Sequence, residues 1–179
     1  MKFLLDGSET ARLHFRKINS SDFKPWLDFF KDPSSFAHWA GEYEEPEMEC
    51  QKWFERQAER YQHDEGGMNA LIEKSSGALI GFSGLLIQRV DERTELEVAY
   101  SLLPGFRNKG LASEAARKCR DFAFENNFAA SLISIVSLTN TPSAKVAANN
   151  GMKMEKVTVY KENKVNIFRI YKADWQTPN

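Results

Sequence analysis

The chain has 179 residues, a net charge of -1 from 24 basic and 25 acidic side chains, and 42% hydrophobic and 12% aromatic residues. That length suits one domain over residues 1–179, and that apolar content supplies a core, which excludes wholesale disorder. The even charge balance excludes a dedicated nucleic-acid binder, so any electropositive site must be local.

Arg12 to Ile18 alternates polar and apolar side chains and predicts a first strand. A helix is expected from Ser21, with Asp22 and Pro25 early in it and Trp26, Leu27, Phe29 and Phe30 as its apolar stripe. The acidic stretch Glu42 to Glu49 leads into a second helix ending near Gln62, with Trp53, Phe54, Gln57 and Tyr61 on one face. After Gly66-Gly67 the period shortens. Asn69 to Glu73 and Ala78 to Gln88 predict strands joined at Lys74-Ser75-Ser76-Gly77, and Glu95 to Leu103 predicts another. Pro104-Gly105 ends that strand, and a basic loop opens a helix from about Leu111 to Asn126.

Ser131 to Leu138 is apolar enough for a strand buried on both faces. Thr141-Pro142 starts a short helix that Asn149-Asn150-Gly151 closes. Strands at about Lys153 to Tyr160 and Val165 to Lys172 complete the chain. The order β-α-α-β-β-β-α-β-α-β-β predicts an α+β fold, not a doubly wound nucleotide fold.

Two cysteines, Cys50 and Cys119, cannot make a disulfide framework, and a reducing cytoplasm is the expected setting. His14, His38 and His63 lack metal-ligand spacing, so no metal is expected. Met1 to Asp6 is too short an apolar run for a signal peptide, and no stretch suits a membrane span. Asn19-Ser20-Ser21 then reads as a chance match to the glycosylation sequon.

The most informative segment is Leu102-Leu103-Pro104-Gly105-Phe106-Arg107-Asn108-Lys109-Gly110-Leu111-Ala112-Ser113. A strand delivers the chain into a basic, glycine-bearing turn that becomes a helix N-terminus, where unpaired N–H groups and the helix dipole favour an anion. Leu111-Ala112 stands where a Walker loop needs Lys-Ser/Thr, and Gly77, Gly81 and Gly84 do not fit G-x-G-x-x-G. An incidental basic surface loop is the plainer alternative.

Arg107-x-x-Gly110-x-Ala112 resembles the Q/R-x-x-G-x-G/A pyrophosphate loop of the GNAT N-acetyltransferase superfamily, and Glu97 to Leu102 resembles the fourth strand of that family. Asn140-x-x-Ser143-x-x-Val146 with Gly151-Met152 is similar to the Asn-x-x-Ser helix and Gly-Phe ending of its ribosomal-protein alanine N-acetyltransferase branch. The element order matches from about Arg12 to Lys172. Ala112 for the commoner glycine and Met152 for phenylalanine are tolerable departures. The resemblance implies a mixed, mostly antiparallel sheet of about seven strands flanked by about four helices.

It also implies that acetyl-CoA enters between splayed fourth and fifth strands as co-substrate. Leu102 and Leu103 would pair with its pantetheine arm, and a backbone N–H near Leu102 would face the oxyanion. Asn108, Lys109, Gly110, Leu111 and Ala112 would hold the pyrophosphate, with charge from Arg107 and Lys109 and a hydroxyl from Ser113. Asn140 would bond the pantetheine.

An amine would attack the thioester directly, with Glu97 as base through a water and Glu95 in reserve. Many relatives protonate the thiolate with a tyrosine from the helix after strand five; this sequence offers Ser143 in that helix, as a hydrogen-bond donor or a relay through water. No Ser-His-Asp or Cys-His arrangement suggests a covalent intermediate.

The implied acceptor is a small amine or a protein N-terminus, with the protein a monomer or homodimer. Glu42 to Glu49 either attracts a cationic acceptor or serves the positive end of the second helix. Trp39 and Tyr43 either line an acceptor pocket or simply pack. The rival from another class is a non-catalytic acyl-CoA-binding module.

Overall fold

The computed structural model describes residues 2–175. Among the described residues, seven strands form one sheet: β1 (Leu13–Arg16), β2 (Gly66–Glu73), β3 (Leu79–Val90), β4 (Arg93–Leu102), β5 (Ser131–Ser137), β6 (Lys153–Tyr160) and β7 (Asn163–Tyr171). Four helices accompany them: α1 (Phe23–Lys31), α2 (Pro46–Gln62), α3 (Leu111–Glu125) and α4 (Thr141–Asn149). The strand order is β1-β2-β3-β4-β5-β7-β6, antiparallel throughout except for β4 beside β5. This is the mixed, mostly antiparallel α+β architecture expected from the chain.

Successive strand residues face opposite sides, so β3 feeds two cores. Phe82 and Leu86 join Trp26, Leu27, Phe30 and Cys50 beneath α1 and α2. Ile80 and Leu85 join Leu96, Val98, Leu102, Leu111, Ala115 and Cys119 beneath α3. Trp26 and Phe82 are fully buried, their rings edge-on at 4.7 Å. Truncating either to alanine costs about 3–5 kcal/mol on general grounds.

Several boundaries differ from those the sequence predicts, each for a local reason. Helix α1 begins at Phe23, because Asn19 caps a separate 3-10 turn over Ser20–Asp22 by accepting the Ser21 N–H at 2.9 Å. Asp22 is held there by Arg16 at 2.6 Å, which confines β1 to Leu13–Arg16. Strand β2 begins at Gly66 rather than Asn69. The glycine pair reads as a break, yet a Cβ on Gly67 would lie 2.5 Å from the Tyr61 ring, so its absence lets α2 pack on the strand. Strands β3 and β4 extend to Val90 and Arg93, because Asp91 and Glu92 take φ of 46° and 63° in a two-residue hairpin turn. Lys161 and Glu162, at 47° and 64°, make the same turn between β6 and β7.

Among the described residues, no helix is long and apolar enough to cross a membrane.

Candidate active site

Strands β4 and β5 pair at one position, Glu97 with Ile133. Just beyond it the Ser134 hydroxyl donates to the Val98 carbonyl at 2.8 Å, and the strands then part. Ser101 and Leu103 turn their backbone groups toward β3, where the Leu103 N–H bonds Ile80 O at 2.9 Å. Tyr100 and Leu102, by alternation, turn theirs toward the fork. Leu103 is thereby corrected as a pairing residue: its N–H serves β3 and its carbonyl accepts the Phe106 N–H at 3.0 Å.

At the far end of β4 the chain turns through Asn108 at φ 61° and Gly110 at φ 76° and enters α3. No side chain caps α3, and its first internal bond runs from Glu114 N to Gly110 O. The N–H groups of Leu111, Ala112 and Ser113 therefore lack helical partners. Among the described residues, those of Asn108, Lys109 and Gly110 have no acceptor either. Six consecutive donors on a positive helix end fit a pyrophosphate.

The charges around this turn differ from the sequence expectation. Arg107 does not lend its guanidinium to the turn. Its Nε donates to Leu102 O at 3.1 Å, Nη1 to Asp32 and Ser34, and Nη2 to Ser35 at 2.7 Å. It clasps the α1–α2 connection to the end of β4. The Asp32 carboxylate is drawn below its ordinary range by the Ser34 hydrogen bonds first and by Arg107 second. Lys109 lies over the Phe106 ring at 5.2 Å.

Arg12, not singled out in the sequence, reaches the turn instead. Its Nη1 donates to Lys109 O at 2.9 Å, and its Nε pairs with Glu114 at 2.6 Å. Ser113 gives its carbonyl to Asn150 Nδ2 at 3.4 Å. Asn140 caps α4, its Oδ1 accepting the Ser143 N–H at 3.0 Å, which leaves the amide nitrogen available.

Glu97, at the fork, is 8% exposed. Its Oε2 accepts from Gln88 Nε2 at 2.7 Å, and Gln88 Oε1 accepts from Tyr160 at 2.9 Å and Arg60 at 3.1 Å. Burial pushes the carboxyl above its ordinary range; hydrogen bonds from Gln88 and the Ile135 N–H and the charges of Arg60 and Lys161 oppose that. Glu95, by contrast, is pinned by Arg169 at 2.8 and 2.9 Å and cannot readily act as a spare base.

On the other face of β4, the Tyr100 hydroxyl donates to Ser143 O at 2.8 Å and accepts from Ser143 Oγ at 3.1 Å. Burial pushes this phenol up to about 12, with Ser143 opposing and Glu97 adding, so it is neutral at pH 7. Tyr100 went unnoticed in the sequence because its partner lies 43 residues away. Burial raises the Cys50 and Cys119 thiols to about 11 and about 12, which suits neither as a nucleophile.

A strap of residues 36–45 in the α1–α2 connection reaches the chain just after β5 and the start of β7. His38 meets Thr139 at 3.0 Å, and Ala40 exchanges bonds with the Asn163 side chain at 2.7 and 3.2 Å. Trp39 packs against Ile133, Val165 and Ile167 beneath the strap, whereas Tyr43 packs on Phe36. Glu47 and Glu49 occupy the first turn of α2, and Glu44 pairs with Lys52 at 2.5 Å. The acidic stretch thus serves the helix start.

Among the described residues, no cluster of three His, Cys, Asp or Glu side chains is placed to hold a metal. A surface depression between β1 and α2, lined by Lys17, Asn19, Phe54 and Tyr61, contains none of these site residues.

Residues 12–153 match the family model of the acetyltransferase (GNAT) domain. The uncharacterized protein YkkB of Bacillus subtilis is 28% identical over 138 residues, covering 75% of this chain and 77% of that protein. The acetyltransferase of Agrobacterium tumefaciens superposes with a TM-score of 0.76 at 25% identity, covering 92% of this chain and 93% of that one. The ribosomal-protein-S5-alanine acetyltransferase of Vibrio fischeri shares the fold, with a TM-score of 0.70 at 22% identity over 94% of this chain and 98% of that one.

Proposed function

The chain belongs to the GNAT acetyltransferase family and is an N-acetyltransferase, and we propose that it moves the acetyl group of acetyl-CoA to a primary amine by direct attack at the β4–β5 fork. One observation carries this reading: a buried carboxylate, Glu97, stands at the single β4–β5 rung, and six unpartnered N–H groups stand at the other end of the opened strand.

Acetyl-CoA supplies an activated thioester. Asn108 to Ser113 hold its pyrophosphate through backbone N–H groups, with Lys109 adding charge, and the fork-facing carbonyl of Leu102, which also accepts from Arg107, takes a hydrogen bond from the pantetheine arm. Asn140 offers its amide nitrogen to the same arm.

Glu97 removes the amine proton through a water, and its raised affinity for a proton strengthens it for that step. The Leu102 N–H faces the developing oxyanion. Ser143 turns its hydroxyl proton from Tyr100 Oη to donate a hydrogen bond to the departing sulfur. The acceptor is a small amine or a protein N-terminus, and base and acid stand on opposite faces of the sheet, so acceptor and thiol use separate sides.

A thiol-release assay with acetyl-CoA and a panel of amines and peptides tests this. Thiol release matched by acetylated amine is expected. Tight coenzyme binding without transfer to any acceptor would favour a binding module instead.

A further inference from the structure

We propose that the acceptor is a primary amine carrying carboxylates close to its nitrogen, held by a cationic clamp of Arg56, Arg60 and Lys161 around Glu97. This deepens the proposed amine acetylation and rests on it.

Lys52, Arg56 and Arg60 recur at a spacing of four on α2 and so form one stripe of that helix. Lys52 is neutralised by Glu44. Among the described residues, Arg56 and Arg60 pair with no carboxylate: the hydrogen bonds of Arg60 run to the neutral oxygens of Glu65 O, Ile87 O and Gln88 Oε1. Gln88 in turn holds Glu97, so Arg60 sits one residue removed from the base.

Lys161 approaches from the β6–β7 turn. Its ammonium lies over the Tyr160 ring at 5.3 Å, and the Tyr160 hydroxyl bonds the same Gln88 oxygen that Arg60 does. Burial first, then the guanidinium groups of Arg56 and Arg60, pulls the Lys161 ammonium down, while Glu97 opposes. Arg60 and Lys161 thus flank the Gln88–Tyr160 pair that holds Glu97, and Arg56 stands one turn along α2 from Arg60. A polyamine entering there would add a fourth cation. A carboxylate-bearing amine would relieve the repulsion and leave its nitrogen facing Glu97.

Free amino acids and acidic peptide N-termini present the same chemistry, and paired acceptors separate them. The test compares kcat/KM for aspartate against asparagine amide, and for a peptide amide starting Ser-Asp-Asp against one starting Ser-Asn-Asn, with spermidine as the cationic arm. The acidic member of at least one pair should win by about tenfold or more, and spermidine should be poorest; the pair that discriminates identifies the source.

In Arg56→Gln and Lys161→Gln the acidic-to-neutral ratio should fall about tenfold each, and in Lys161→Glu it should invert. Equal use of both members, a preference for spermidine, or a ratio that neither substitution moves overturns the clamp. If no acceptor is acetylated, the transferase reading fails by itself. Calorimetric binding of the two peptides then decides the clamp separately: tighter binding of the acidic one upholds it, and equal or absent binding overturns it.

Discussion

Glu97 and Tyr100 stand three residues apart on β4 and so face opposite sides of the sheet, at the point where β4 loses β5 as its neighbour. The carboxylate looks toward Gln88 and, behind it, Arg60 of α2, and the phenol toward α4. One strand thus carries a carboxylate and a phenol to the two sides of one opening. The spacing depends on the parallel pairing ending where it does: one more rung would close the fork beside Tyr100.

The burial of Glu97 carries a stability signature. Its carboxyl is raised in the folded chain, so the folded state binds that proton more tightly than the unfolded state does. Stability from this group is full below the ordinary glutamate range and is lost as pH rises through the raised value. Glu97→Gln should therefore melt higher than the parent near pH 8, and the difference should close by about pH 4. Melting curves that stay parallel across this range would contradict the burial argument.

Tyr100 and Ser143 should act as one unit. Tyr100→Phe and Ser143→Ala are each expected to lower kcat by ~10–100-fold. The double variant should be little worse than either single one, because each removes the same hydrogen-bonded pair. Multiplying effects would assign the two hydroxyls separate roles.

Gly110 holds the turn by conformation, not by space. At φ 76° a side chain is strained, yet a Cβ there would meet only Arg12 Nη2 at 3.5 Å. Gly110→Val should cost about 1–2 kcal/mol in this left-handed position. Circular dichroism should show an intact fold, and calorimetry should show coenzyme A binding at least ~10-fold weaker. Unchanged affinity would remove the turn as the anion site.

Arg107 is expected to matter for stability. Arg107→Ala removes the bonds to Asp32, Ser34, Ser35 and Leu102 and should cost about 1–3 kcal/mol in urea unfolding. Lys109→Ala, by contrast, should flatten the salt dependence of coenzyme A affinity while sparing stability. The reverse pattern would return Arg107 to the phosphates.

What the sequence revealed and what it hid follow from range. The turn at Asn108 to Gly110 is local, so its residue types announce it. The function of Arg107 depends on Asp32, 75 residues away, and that of Gln88 on Tyr160, 72 residues away, so neither leaves a periodic trace. Arg12 reads as the start of a strand because its targets, Lys109 O and Glu114, lie across the fold. Gly66-Gly67 reads as a break because the Tyr61 ring that needs the space cannot be seen in the chain order. The acidic stretch carried two meanings, and the first turn of α2 accounts for it without an acceptor.

The most direct measurement is the pH–rate profile of acetyl transfer for the parent and Glu97→Gln, followed as thiol release and acetylated product together. The parent kcat/KM should rise with pH through a limb above the ordinary glutamate range. Glu97→Gln should lose that limb and about 10²–10⁴-fold in rate while coenzyme A still binds. A Glu97→Gln enzyme that keeps both the limb and the rate would contradict a base at the β4–β5 fork.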